Sequence, residues 1–187
     1  GGATAVIRNT LIASNTATAG RGGGIYSDGT LTIDGSTIQY NTNTGIYSNG
    51  PFVLNRSTVD HNQTGGLALN NGGAIILNST ISDNTTAGDG GGLYIAWGPV
   101  TLRNVTIADN IADSDHNGAG TGGGIYNTGL SVSLANSILA RNSASGLASN
   151  CAGPINSQDY NLIQHLSGCA LTGVLTHTIT GHDPLLG

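Results

Sequence analysis

The chain has 187 residues, enough for one domain with a buried core. Its ten acidic residues are all Asp and its five basic residues all Arg, for a net charge of -5. That balance lacks the basic stripe that nucleic acid requires, and no apolar run approaches the roughly 20 residues that span a bilayer.

Glu, Lys and Met are absent, which removes three good helix formers, while Thr, Ile, Ser, Asn and Gly favour strands and turns. An all-β fold follows. Only 8% of residues are charged, so Ser, Thr and Asn must wet the exterior. With no initiator Met and no signal peptide, the chain is expected to be a mature product or an excised piece.

From the amino terminus onward, one segment recurs. It appears as "TLIASN" (Thr10 to Asn15), "STIQYN" (Ser36 to Asn41), "STVDHN" (Ser57 to Asn62), "STISDN" (Ser79 to Asn84), "VTIADN" (Val105 to Asn110) and "SILARN" (Ser137 to Asn142). The closing asparagines are spaced by 26, 21, 22, 26 and 32 residues. A base period near 21 or 22 is too short for a helical hairpin and suits one turn of a β-solenoid.

Three aliphatic columns support about six such rungs. The first holds Ile12, Ile38, Val59, Ile81, Ile107 and Leu139; the second Ile7, Ile33, Leu54, Ile76, Leu102 and Leu134; the third Ile25, Ile46, Leu67, Leu93, Ile125 and Leu147. Alternation, as in "LTI" and "VTL", turns these residues inward to stack about 4.8 Å apart. Asn15, Asn41, Asn62, Asn84, Asn110 and Asn142 should form a structural ladder. An inward amide satisfies corner backbone groups, tolerates a left-handed backbone and bonds its own copies. The glycines before "IY" or "LY" (Gly24, Gly45, Gly66, Gly92, Gly124) are expected to supply positive φ or close approach at another corner.

Outside the core, four patterns bear on chemistry. Thr37, Thr58, Thr80 and Thr106 form an outward column of the kind ice-binding solenoids present, but the companion column Gln39, Asp60, Ser82 and Ala108 is mixed. Just before each ladder asparagine stand Tyr40, His61, Asp83, Asp109 and Arg141. Asp83 and Asp109 would lie about 5 Å apart on neighbouring rungs, near the separation of a retaining glycosidase's carboxylates. These two are the candidate catalytic acids, and with His61 and Arg141 the candidate ligand-binding set. The insertion "IADSDHNGAGTG" (Ile111 to Gly122) offers Asp113 and Asp115 as candidate Ca²⁺ ligands, without the Glu a calcium loop requires. It should share a rim with "TTAGDG" (Thr85 to Gly90). Finally, Tyr26, Tyr47, Tyr94 and Tyr126, with Trp97 nearby, form a broken aromatic column suited to sugar rings or to packing beneath loops. Apart from Ca²⁺, no cofactor is implied. Cys151 and Cys169 are expected to form a disulfide, because the lysine-free, Gly/Ser-rich chain reads as secreted.

The rungs, with the near-copies "GGGIYSDGTLTIDGSTIQYN" (Gly22 to Asn41) and "GGGIYNTGLSVSLANSILARN" (Gly122 to Asn142), resemble right-handed parallel β-helix repeats of pectate-lyase-like proteins. The tail segments "NCAG" (Asn150 to Gly153), "DYNLI" (Asp159 to Ile163), "GC" (Gly168, Cys169) and "GHDPLLG" (Gly181 to Gly187) resemble the bacterial choice-of-anchor Q domain, with Asn150 where Asp would be usual. The resemblance implies a right-handed parallel β-helix over residues 1–150 and a C-terminal segment, 151–187, packing on the last rungs. It also implies a secreted or surface-displayed bacterial protein, and no catalytic residue.

The leading expectation is therefore a non-catalytic, extracellular or cell-surface β-helix module for display, adhesion or assembly, contacting carbohydrate or cell-envelope components. The alternatives are a polysaccharide lyase or glycoside hydrolase using the acidic strip, and an ice-binding solenoid. The chain begins on a rung without a capping helix, so end-to-end self-association into a filament is a further expectation.

Overall fold

The computed structural model describes residues 2–18, 21–128 and 131–186. Residues 129–130, in the second copy of the opening motif, and the last glycine of "GHDPLLG" lie outside the described residues. The chain winds into a parallel β-helix with three faces. Face A stacks Thr4–Arg8, Thr30–Asp34, Phe52–Asn55, Ala74–Leu77, Val100–Arg103, Val132–Ala135, Cys151–Gln158 and Cys169–Val174. Face B stacks Leu11–Ala13, Thr37–Gln39, Thr58–Asp60, Thr80–Ser82, Thr106–Ala108, Ile138–Ala140, Leu162–Ile163 and Ile179–Thr180. Face C stacks Ile25–Ser27, Ile46–Ser48, Leu67–Leu69, Leu93–Ile95 and Ile125–Asn127, and meets face A through the long strand Cys151–Gln158. Residues 151–186 thus add strands to the same faces in parallel register.

Periodicity explains the core. Ile12, Ile38, Val59, Ile81, Ile107 and Leu139 are successive Cα partners, as are Ile7, Ile33, Leu54, Ile76, Leu102 and Leu134. From Ile33 and Ile38 onward these side chains are wholly buried. The third column needs one correction. Ile125 is followed by Cys151, while Leu147 is 73% exposed on a short excursion in which Leu147–Ala148 pairs antiparallel with Ser143–Ala144. Equal spacing placed Leu147 in the core; the excursion delays the next coil and gives its place to Cys151.

The asparagine ladder occupies the corner after face B. Asn62 donates both its backbone N–H and its Nδ2 to Asn84 Oδ1, at 3.0 and 2.9 Å. Its Nδ2 also donates to the carbonyls of Ile38 and Asp60. The paired donation to the next asparagine's Oδ1 runs from Asn15 through Asn41, Asn62, Asn84, Asn110 and Asn142, and then continues to Asn150. Asn15 is exposed, whereas the asparagines from Asn41 to Asn150 are buried.

A second, shorter ladder turns the corner before face B. Thr10, Ser36 and Ser57 donate their N–H to the hydroxyls of Ser36, Ser57 and Ser79, and Val105 donates to Ser137. Asn161 of "DYNLI" ends the series by accepting from Ser137 N at 3.0 Å.

The left-handed backbone expected at the ladder asparagines sits one residue earlier. Ser14, Tyr40, His61, Asp83, Asp109 and Arg141 have φ of 56, 54, 52, 56, 59 and 55°. The recurring glycines serve close approach. Gly92 has no positive φ, yet a Cβ there would lie 2.7 Å from Gly124 O and 2.9 Å from Asn110 Nδ2.

Asn84→Ala removes the acceptor of two buried Asn62 donors and the Nδ2 bonds to the carbonyls of Val59 and Ser82, at about 1–3 kcal/mol for each buried group left unpaired. Urea unfolding should show a loss of at least about 3 kcal/mol, by summing such groups. Asn15→Ala, at an exposed site, should cost under about 1 kcal/mol, the net worth of one ordinary hydrogen bond.

Candidate functional site

The column before the ladder asparagines forms a strip along one corner. Its left-handed backbone turns each coil sharply, and the side chains leave the core. Tyr40 stacks on His61 of the next coil, with centroids 4.7 Å apart and planes inclined by 30°. His61 Nδ1 meets Asp60 Oδ2 at 2.8 Å. A neutral ring that donates from Nδ1 presents Nε2 as an acceptor. The other Asp60 oxygen, Oδ1, is buried without a hydrogen-bond partner among the described residues.

Asp83 follows one coil on, with its side chain exposed. Asp109 occupies the next coil, since Ser82 and Ala108 are Cα partners. Its Oδ2 is ion-paired at 2.8 Å with Arg141 Nη2. Arg141 Nη1 also donates to the carbonyl of Leu186 at 2.9 Å, holding the returning tail against this end of the strip. The five residues of the column therefore separate into the Tyr40–His61 stack, the Asp109–Arg141 ion pair and, between them, Asp83, whose carboxylate has no partner among the described residues.

The insertion loops do share a rim. Thr121 donates its N–H and hydroxyl to Asp89 Oδ1, and Gly90 N donates back to Thr121 O. Asp113 is fully buried, and its carboxylate accepts the N–H groups of Asn117 and Gly118. Asp115 is exposed and accepts from Asn117 Nδ2 at 2.8 Å. Among the described residues, no three His, Cys, Asp or Glu side chains converge to hold a metal ion.

The outward threonines of face B are in register, but Leu11 precedes them and Ile138 follows them in the same column. The tyrosine column is two stacked pairs, Tyr26–Tyr47 at 5.7 Å and Tyr94–Tyr126 at 5.4 Å, interrupted in register by Ala68. Arg21 lies over the Tyr47 ring and donates to its hydroxyl. Cys151 and Cys169 are joined, with Cα atoms 5.0 Å apart, across neighbouring coils.

Sequence reasoning missed a cluster in the tail. Buried Asp159 accepts His177 N through Oδ1 and pairs with His177 Nδ1 through Oδ2, both at 2.7 Å. Tyr160 stacks on the same imidazole at 4.5 Å with the planes 1° apart. The signal was the Asp-Tyr pair of "DYNLI", but its partner lies 18 residues away, outside the repeat.

Burial alone would raise the Asp159 carboxyl. The hydrogen bonds from the His177 side chain and backbone outweigh burial and hold it below its ordinary value of 3.8. A depressed folded-state value stabilises fully above the ordinary value and is lost as pH falls through the depressed one. Protection of the His177 amide against hydrogen exchange, corrected for the intrinsic rate, should therefore hold at neutral pH. It should weaken progressively once the pH falls below the ordinary carboxyl value and be lost as the pH passes the depressed one.

No helix is long and apolar enough to cross a membrane among the described residues. No curated protein and no solved structure matches the chain. The model of the family described as "Right handed beta helix region" matches residues 1–110 and 24–179. The parallel coils, the aliphatic columns and this match together place the chain in the right-handed β-helix family.

Proposed function

We propose that this chain is a non-catalytic module of a secreted or cell-surface bacterial protein of the choice-of-anchor Q type, a rigid rod that contacts carbohydrate. The observation that carries the reading is the state of the corner strip. A two-carboxylate glycosidase needs both acids available at the scissile bond. Here Arg141 holds Asp109, and the tail carbonyl of Leu186 holds Arg141 in turn. What remains open is the Tyr40–His61 stack beside Asp60 and Asp83. The apolar face of a sugar ring suits such a platform, and its hydroxyls suit a carboxylate and an imidazole nitrogen.

The extracellular part rests on the Cys151–Cys169 bridge, since disulfides persist in oxidising compartments. The likeness to choice-of-anchor Q domains draws support from the work its tail motifs perform. The two cysteines tie adjacent coils, and Asn161 caps the serine ladder.

A panel of neutral and acidic glycans tests this reading. The parent protein should retain at least one glycan without releasing any product. Tyr40→Ala and His61→Ala should each weaken retention by about ten-fold, equivalent to about 1.4 kcal/mol, and Asp109→Asn should leave it unchanged. Product release that disappears in the Asp83→Asn, Asp109→Asn double variant would establish the enzyme instead.

A further inference from the structure

The dipeptide Asn-Gly occurs three times, at Asn49–Gly50, Asn71–Gly72 and Asn117–Gly118. It is the sequence most open to self-modification, because a glycine nitrogen can approach the preceding side chain unhindered by a Cβ. The structure gives the three copies different fates. Asn49 Nδ2 donates to Tyr26 Oη at 3.1 Å and to Asp28 Oδ1 at 2.7 Å, and its Oδ1 accepts from Asn70. That amide is pinned along the stack, away from the buried Gly50. Asn117 donates to Asp115 and accepts from Ala119 N, while the Gly118 nitrogen is held by the Asp113 carboxylate. In the first copy the target amide is engaged elsewhere, and in the third both the nucleophile and its target are.

Asn71 differs. Its side chain is exposed, and Gly72 N donates to Asn71 Oδ1 itself at 2.9 Å. The nitrogen is therefore held beside the Cγ that carries this oxygen. We propose that Asn71–Gly72 is a deamidation site, built by this turn and poised to convert to aspartate and isoaspartate. A base in solvent removes the Gly72 amide proton, and the nitrogen forms a bond to Asn71 Cγ. The Cγ–Nδ2 bond breaks, and the departing group takes a proton and leaves as ammonia. Water then adds to either carbonyl of the succinimide and breaks one of its two C–N bonds. The net reaction consumes one water and releases one ammonia, with no oxidant or cofactor.

The position gives the change a consequence. Gly72 and Gly73 line a groove of about 370 Å³ on face A together with Pro51, Phe52, Ile75 and Pro99. Among the described residues, no charged side chain lines that groove. Conversion places a carboxylate at its edge, and the isoaspartate form also adds a backbone carbon. That carbon enters a turn where even a Cβ on Gly72 would lie 2.5 Å from Gly50 C.

The test is peptide mapping by mass spectrometry after incubating the folded chain in mildly alkaline buffer, beside the same chain in denaturant. In the folded chain the Asn71 peptide should gain one mass unit and split into two isomers. It should do so at least about ten-fold faster than the Asn49 and Asn117 peptides, given how steeply rate depends on the placement of reacting atoms. In denaturant the three should converge, and Asn71→Gln should abolish the folded-state signal. Asn49 or Asn117 keeping pace with Asn71 in the folded chain would overturn the proposal. So would an intact Asn71 under conditions that convert the denatured chain.

Discussion

Every coil of this molecule must return to the same place one strand spacing further on, about 4.8 Å along the axis. On the flat faces the backbone meets that requirement, because each N–H finds a carbonyl on the neighbouring coil. At the corners the chain bends and the ladder fails, so side chains must stand in for backbone. Asparagine does this after face B, since one oxygen accepts two donors from the coil before it while its nitrogen reaches carbonyls alongside. Serine does it more sparingly before face B. The aliphatic columns can be narrow and regular only because these corners are satisfied.

The same constraint shapes the surface. A sharp turn before each ladder asparagine demands a left-handed residue, a conformation that costs a non-glycine residue roughly 1–2 kcal/mol. The chain accepts that cost in coil after coil with Tyr40, His61, Asp83, Asp109 and Arg141. Strain of this kind persists where the surroundings over-determine it, and here the buried asparagine next door provides the fixing. The strip is therefore held by the core but is free in chemistry. That freedom explains why neighbouring coils display an aromatic platform, an exposed acid and an ion pair on one line.

The inward pattern was legible because burial repeats: Ile38, Val59, Ile81 and Ile107 occupy one column in sequence and in space. Legibility failed where the period was broken. Leu147 has the right chemistry and nearly the right spacing, but the antiparallel excursion at 143–148 turns it out to solvent. Asn150 and Asn161 extend the two ladders from positions that no repeat announces. At the candidate site, the sequence placed the column but not its pairings. Whether Asp109 faces Asp83 or Arg141 depends on side-chain rotamers, and the choice of Arg141 altered the chemistry available there. The Asp159–His177 pair was hidden for a related reason, as it joins two segments that only the tail's fold brings together.

The corner strip also separates two kinds of substitution. Replacing Tyr40, His61 or Asp83 alters what the rod offers to a neighbour, yet the left-handed turn beneath asks only that the new residue tolerate its backbone. Replacing Asn41, Asn62 or Asn84 instead unsettles two coils at once. Such a scaffold can change what its corner displays a single letter at a time, while the buried ladder beneath stays as it is.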